Sequence, residues 1–295
     1  MTNHLCSISD LKDNDVESIL KSAKKNSFHH DTLKNRIVVN LFFENSTRTR
    51  TSFEIAALRL GASVINWDAE ISSLKKGESF ADTIETLGAM KPDGLIIRHS
   101  DYNAPHYVAQ RVSCSVINAG DSWREHPTQA LLDAFTIKEA KGKIEGLTVA
   151  ICGDVTHSRV ANSNMMLLSR LGAKIRVIAP DFLMPQKFPV QGIESFTSME
   201  RGLPGCDIVM MLRNQKERMD SSHIPDDRTF FKQYGLTAER LGLAKPDAFV
   251  MHPGPMNRNV EIADVVADDP QRSLILRQVA NGVPVRMAIL EWALA

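Results

Sequence analysis

The stretch Ile37-Val38-Val39-Asn40-Leu41-Phe42-Phe43-Glu44-Asn45-Ser46-Thr47-Arg48-Thr49-Arg50-Thr51-Ser52-Phe53 decides how this chain folds. Ile37–Leu41 is a short apolar, β-branched run, which predicts a buried strand. Phe53, Ala56, Ala57 and Leu60 recur at i, i+3, i+4 and i+7, and Gly61 follows, which predicts a helix that stops there. Ser46–Arg50 is then a strand-to-helix turn with its hydroxyls at a helix N-terminus, where unpaired N–H groups and the helix dipole favour an anion. The hydroxyls of Ser46, Thr47 and Thr49 and the guanidinium groups of Arg48 and Arg50 supply further donors with geometry suited to phosphate oxygens. Ser46 alone reads as an ordinary helix cap; the whole run reads as a phosphate cradle. A P-loop is excluded, because that motif needs Gly-x-x-x-x-Gly-Lys-Ser/Thr and this turn has neither glycine nor lysine.

Outward from this unit the pattern repeats. A helix capped by Asp13 or Asn14 precedes it. Strands are predicted at Ser63–Trp67, Leu95–Ile97 and Ser115–Asn118, helices near Ser79–Met90 and Pro105–Arg111, and a polar loop at Asp68–Glu78. A helix from His126-Pro127 to about Lys141 crosses between domains, because the alternation restarts after it. Strands follow at Leu147–Cys152, Lys174–Ala179, Asp207–Leu212 and Ala248–Met251, with helices at Ser158–Leu171 and Val285–Leu294. The fold class is α/β: two doubly wound parallel-sheet domains joined by interdomain helices. The boundaries are 1–131 and 132–281, with a C-terminal helix at about 282–295 packing back on the first domain.

Composition narrows the function. Among 295 residues, 35 basic and 35 acidic side chains give zero formal net charge, so no global field favours nucleic acid or an anionic membrane, and any anion site is local. No apolar run reaches the roughly 18 residues of a membrane span, and no signal peptide is evident. Cys6, Cys114, Cys152 and Cys206 are scattered, which fits unpaired, mostly buried thiols in a reducing cytoplasm. The nine histidines show no metal-ligand spacing; His29-His30 reads as surface, and neither structural zinc nor another metal is expected.

In open sheets of this kind, ligands bind beyond the carboxyl ends of the strands. Those ends carry Arg98-His99, His126-Pro127-Thr128-Gln129, the Gly153–Arg159 segment, Arg213 with Gln215, and His252-Pro253-Gly254-Pro255. Arg48, Arg98, Arg159 and Arg213 would thus converge on a cleft suited to a multiply anionic ligand, or to two. Gly153-Asp154 invites a dinucleotide reading, which fails because the later glycines of Gly-x-Gly-x-x-Gly are missing. Ser72–Glu78, with adjacent Lys75 and Lys76, is either a solvated charged loop or a lid bringing a lysine to an anion.

With these residues in view, the chain resembles the catalytic chains of the aspartate carbamoyltransferases, in the aspartate/ornithine carbamoyltransferase superfamily, from first helix to last. The marks are Phe43–Arg50, Lys75-Lys76-Gly77-Glu78, His126–Gln129, Arg213-Asn214-Gln215-Lys216-Glu217-Arg218 and His252–Pro255. Ornithine carbamoyltransferases share the cradle but carry His-Cys-Leu-Pro where this chain has His252-Pro253-Gly254-Pro255. The resemblance implies transfer of the carbamoyl group of carbamoyl phosphate to L-aspartate, a step of pyrimidine biosynthesis, with no cofactor.

It further implies that Ser46, Thr47, Arg48, Thr49 and Arg98 hold the phosphate. Ser72 and Lys76 would reach the site from the neighbouring subunit of a homotrimer. Thr49, Arg98 and His126 would donate to the carbonyl oxygen, Gln129 would accept from the carbamoyl nitrogen, and the Gly254 carbonyl beside Pro255 would position it. Arg159 would pair with the aspartate α-carboxylate, and Arg213 with Gln215 would take the β-carboxylate. Glu44 would bridge to Arg159 and Arg218. The departing phosphate is the expected proton acceptor. Gly254 stands where some members have leucine, and His157 where some have tyrosine. Met256–Glu261 resembles one bacterial branch in which regulatory chains are not always present, so regulatory chains or a dihydroorotase stay open as partners. The rival from another class is an inactive homologue acting as a scaffold, against which Arg48, Lys76, Arg98 and His126 together argue.

Overall fold

The computed structural model describes residues 2–25, 31–68, 77–215 and 226–295, in two compact units, Met1–Phe135 with Val279–Ala295, and Thr136–Gln278. In the first unit α1 (Asp13–Lys25), β1 (Ile37–Phe42), α2 (Thr47–Arg59), β2 (Ser63–Asp68), α3 (Phe80–Ala89), β3 (Gly94–His99), α4 (Ala104–Ala109) and β4 (Ser115–Asp121) alternate. Helix α5 (Pro127–Lys141) begins in this unit and ends in the second. The second holds β5 (Thr148–Cys152), α6 (Arg159–Arg170), β6 (Lys174–Ile178), β7 (Glu194–Phe196), α7 (Met199–Gly202), β8 (Ile208–Met211), α8 (Asp227–Tyr234), α9 (Ala238–Leu241), β9 (Phe249–Met251) and α10 (Asp264–Ala267). Helix α11 (Ile275–Leu294) starts there, and its residues from Val279 onward belong to the first unit.

Both sheets are parallel and doubly wound. The first runs β2-β1-β3-β4 and the second β7-β6-β5-β8-β9. Winding starts at β1 and reverses between β1 and β3; in the second sheet it starts at β5 and reverses between β5 and β8. Loops leave the sheet in opposite directions at such a reversal, which opens a crevice at the strands' carboxyl ends.

The hydrophobic periodicity explains these elements. Phe53, Ala56, Ala57 and Leu60 are fully buried along α2. Truncating Phe53 to alanine would cost about 3–5 kcal/mol, the usual range for a buried phenylalanine. Gly61 closes the helix at φ 77°, a left-handed conformation that glycine adopts without a Cβ penalty. Val39, Leu41, Leu95, Ile97 and Val116 of the central strands form one core, and Ala150, Cys152, Val209, Met211 and Val250 contribute to the core of the second unit. No helix among the described residues is long and apolar enough to cross a membrane.

Three expectations shift. Strand β3 runs to His99, so Arg98 and His99 lie in the strand, not after it, because their backbones still pair with β1 and β4. Helix α11 begins at Ile275, not Val285, with Pro284 inside it; proline lacks an amide donor and masks the continuity. The edge strand β7, of only 3 residues, is too short to show periodicity. His29 and His30 and the loop at 69–76 lie outside the described residues.

Candidate active site

In the first unit the reversal point is lined by the ends of β1 and β3. Phe42 pairs with Arg98 in the sheet, and the Phe43 N–H donates to the Arg98 carbonyl at 2.9 Å. The turn into α2 is thereby fixed beside the Arg98 side chain. Arg98 Nε lies 3.3 Å from Glu44 Oε2, and its Nη1 donates to the Ala119 carbonyl at 3.4 Å. Ser46 occupies the N-cap position, with φ −158° and ψ 90°, yet its side chain makes no capping hydrogen bond. The capping role open to Ser46 in the sequence is therefore not taken by its side chain. Thr49 is buried, whereas Thr47 and Arg48 are exposed. Of the two guanidinium groups counted in the cradle, that of Arg50 is turned to structure: its Nε donates to Asn66 Oδ1 at 3.2 Å, on the oxygen that also accepts from Asn40 at 2.8 Å.

An aromatic cluster buttresses the turn. The Phe43 ring lies 5.1 Å from Trp67, 5.3 Å from Phe80 and 4.6 Å from His99, centroid to centroid. His99 Nδ1 accepts from the Asp101 N–H at 2.9 Å, and burial pushes this imidazole below its ordinary range, which favours the neutral form.

His126 and Gln129 enter at the start of α5. The amides of Gln129 and Ala130 both donate to the His126 carbonyl, at 3.0 and 3.2 Å, so His126 caps the helix through its backbone. The Thr128 hydroxyl lies 3.5 Å from His126 Nδ1. Gln129 Nε2 donates to Asp133 Oδ1 at 2.9 Å, which fixes the amide and leaves its oxygen on the other side. Asp133 is fully buried, and Arg286 of α11, itself buried beneath Phe53, is its charge partner. Burial lowers the Arg286 guanidinium to about 10, with Asp133 opposing that shift. Asp133 and Arg286 escaped the sequence reading; the signal was the i, i+4 spacing of Gln129 and Asp133 on a helix.

The second unit builds its reversal point differently. Gly153 ends β5 at φ 113°, and a Cβ there would stand 2.8 Å from the Leu212 carbonyl oxygen, so the segments after β5 and β8 approach closely only because this residue is glycine. Asp154, fully buried, ties them: Oδ1 accepts from the His157 N–H at 3.2 Å and sits 2.8 Å from its Nδ1, while Oδ2 accepts from the Gln215 N–H at 3.2 Å. Gln215 Nε2 donates to the His157 carbonyl at 3.0 Å, leaving one amide N–H for a ligand. His157 is thus tied to both Asp154 and Gln215. Arg159 is the first residue of α6, which Ser158 caps by accepting from the Ala161 N–H, and its side chain is buried; Arg213 is half-buried.

His252, after β9, is fully buried. Its Nδ1 accepts from the Gly254 N–H at 2.8 Å, so Nε2 carries the proton and donates to the buried Glu261 at 3.2 Å. The imidazole and carboxylate hold the Gly254-Pro255 turn, where φ of 65° suits glycine better than leucine.

The structure therefore gathers Ser46, Thr47, Arg48, Thr49, Arg98, His126 and Gln129 at the strand ends of the first unit, and Arg159, Arg213, Gln215, Gly254 and Pro255 at those of the second. Ser72, Lys76 and Arg218 lie outside the described residues. Glu44, expected to bridge to Arg159 and Arg218, stands against Arg98.

Two parallel sheets whose reversal points carry arginines, hydroxyls and amides make a scaffold suited to small anionic ligands, and the family comparison points the same way. The aspartate/ornithine carbamoyltransferase carbamoyl-P binding domain matches residues 3–139, and the Asp/Orn binding domain of the same family matches residues 145–293. The chain belongs to the aspartate/ornithine carbamoyltransferase family. Within it, the chain is 55% identical to the aspartate carbamoyltransferase catalytic subunit of Methylorubrum populi, over 98% of this chain and 93% of that one. The aspartate transcarbamoylase of Trypanosoma cruzi in complex with N-(phosphonacetyl)-L-aspartic acid superposes with a TM-score of 0.90 at 34% identity, covering 100% of this chain and 96% of that one. The ornithine carbamoyltransferase of Pyrococcus furiosus superposes with a TM-score of 0.87 at 27% identity, covering 98% and 96%.

Proposed function

We infer that the chain transfers the carbamoyl group of carbamoyl phosphate to the amine of L-aspartate, giving N-carbamoyl-L-aspartate and phosphate, with the first unit taking carbamoyl phosphate and the second taking aspartate. The observation that carries this reading is the placement of donors at both reversal points: hydroxyls, amides and Arg98 in one sheet, Arg159, Arg213 and Gln215 in the other. The relatives point the same way, since the Trypanosoma cruzi enzyme binds a molecule that joins a phosphonate, an acetyl group and an aspartate.

The chemistry follows from the groups present. The aspartate nitrogen attacks the carbamoyl carbon, the carbon–oxygen bond to phosphate breaks, and the departing phosphate takes the amine proton. The leaving group is already good, so catalysis reduces to positioning, which supplies up to about 7–11 kcal/mol, and to stabilising charge on the carbonyl oxygen. In this reading Ser46, Thr47, Arg48, Thr49 and Arg98 hold the phosphate, and Thr49, Arg98 and His126 donate to the carbonyl oxygen. Gln129, whose nitrogen is committed to Asp133, accepts from the carbamoyl NH2 through its oxygen, and the Gly254 carbonyl in its Pro255 turn helps to place that group. Arg159 takes the α-carboxylate, and Arg213 with Gln215 takes the β-carboxylate.

Ser72 and Lys76 complete the phosphate site from a neighbouring copy, so the working form is an oligomer, a homotrimer by the family resemblance. Mixing inactive Lys76→Ala and Arg48→Ala subunits would then restore part of the activity; no recovery after demonstrated subunit exchange would defeat the shared site. A cytoplasmic location belongs to the same proposal, and the four free and buried cysteines fit a reducing medium. The reaction itself is tested by supplying purified protein with carbamoyl phosphate and either aspartate or ornithine. Carbamoyl aspartate and phosphate should appear with aspartate alone, and turnover with ornithine alone would refute the reading.

A further inference from the structure

Away from these strand ends, the first unit assembles a soft-ligand cluster from elements distant in sequence. The N-terminal segment pairs with β4 through a parallel bridge between Leu5 and Ile117, with the Leu5 N–H on the Val116 carbonyl and the Asn118 N–H on the Leu5 carbonyl, both at 2.8 Å. This fixes Cys6. The segment then turns at Ser7–Asp10 in a capping box, where Asp10 Oδ2 accepts from the Cys6 and Ser7 amides at 2.9 and 2.8 Å. Helix α4 brings in His106, whose Nε2 lies 3.8 Å from Asp10 Oδ1. One ligand atom each from Cys6, Asp10 and His106 fall within 4.8 Å of one another, the one such group of three among the described residues.

We propose that Cys6 Sγ, Asp10 Oδ1 and a ring nitrogen of His106 form a Zn2+ site, with solvent in the fourth position. Thiolate, imidazole and carboxylate are the zinc ligand types, and three protein ligands plus water are a known tetrahedral arrangement. Two further observations support it. His106 Nδ1 is buried with no hydrogen-bond partner in the protein, and Nε2, 3.8 Å from Asp10 Oδ1, is too far for a hydrogen bond there, so neither contact competes with a metal. Asp10 is also pre-oriented: both amides hold Oδ2, leaving Oδ1 for the metal, the kind of outer support that fixes metal ligands. Asp10 is exposed, which gives the ion an entry path.

His4 is near enough to be electrostatically coupled to Asp10 and His106, yet it is no ligand. Its Nδ1 accepts from the Val116 N–H at 3.2 Å, so its Nε2 carries the proton. A cysteine is ordinarily a thiol at neutral pH and zinc binds the thiolate, so the ion must displace its proton. Histidine spacing gave no sign of zinc because Cys6, Asp10 and His106 meet only through the bridge to β4 and helix α4.

The test uses the full chain, stripped with a chelator and titrated with Zn2+ by calorimetry in buffers of different ionisation enthalpy. Uptake of about one Zn2+ per chain with release of about one proton is expected, and affinity should fall by more than about 10-fold in Cys6→Ser and in His106→Ala. Co2+ in the wild-type chain should give a near-ultraviolet thiolate-to-metal charge-transfer band, which decides the matter even if a variant fails to fold. No stoichiometric Zn2+ uptake, unchanged affinity in either folded variant, or bound Co2+ without that band would overturn the site.

Discussion

At the reversal of the first sheet, the anion donors are contiguous in sequence, running from Ser46 to Thr49 along the first turn of α2, with Arg98 beside them on the next strand. At the reversal of the second, they are dispersed over two segments, Arg159 after β5 and Arg213 with Gln215 after β8, and a buried carboxylate, Asp154, fastens the segments together. The difference follows the ligands proposed for each. A phosphate is compact, and one helix N-terminus with adjacent hydroxyls surrounds it. Aspartate carries two carboxylates separated by carbon, and separated guanidinium groups need a rigid link to hold their spacing. The first unit has its own buried carboxylate, Asp133, but uses it to orient an amide, with Arg286 as counter-charge.

The comparison can be broken most severely at that buried pair. Arg286→Met removes the counter-charge that acts on the buried Asp133, and the first unit should lose stability. Hydrogen exchange at the β1 and β3 amides would register this, and combining the substitution with Asp133→Leu should recover much of it. Next in size, Arg98→Ala removes a donor expected at both the phosphate and the carbonyl oxygen. It should lower kcat by about 10²–10³-fold, equivalent to about 2.7–4 kcal/mol, while the KM for aspartate stays near its starting value. In the second unit, Asp154→Ala leaves the Gln215 amide without its acceptor, a loss of about 1–3 kcal/mol. It should raise the KM for aspartate by roughly 10-fold with little change for carbamoyl phosphate, and steady-state kinetics with each substrate varied separates the two.

The smallest effect expected is a pH dependence confined to the first unit. The folded state holds His99 below its ordinary value of 6.5, chiefly through burial, so the unfolded chain binds more protons as pH drops. The contribution is fully present above pH 6.5 and is lost as pH falls through the depressed folded value. Charging this ring between Phe43 and Phe80 should lower stability, and His99→Phe should flatten the acid side of a urea-unfolding series.

The same contrast explains what could be read from the sequence. Ser46–Arg50 was legible because strand, turn and helix are consecutive and each has its own periodicity. That Arg50 is occupied by Asn66 was not legible, since the contact depends on the pairing of β1 with β2. Asp154 stood in the sequence only as a failed dinucleotide signature, because its role is to join segments that the fold brings together. Asp133 and Arg286 lie on helices far apart along the chain, and the start of α11 was hidden by Pro284. Strand order, and with it the reason that these residues lie at reversal points, follows from pairing and not from local pattern.

The most direct test of the division between the units is calorimetric titration of inorganic phosphate into the wild-type chain, Arg98→Ala and Arg213→Ala. The account predicts that Arg98→Ala weakens phosphate binding by more than about 10-fold, whereas Arg213→Ala retains it within about 2-fold. Loss of phosphate binding in Arg213→Ala with retention in Arg98→Ala would contradict it.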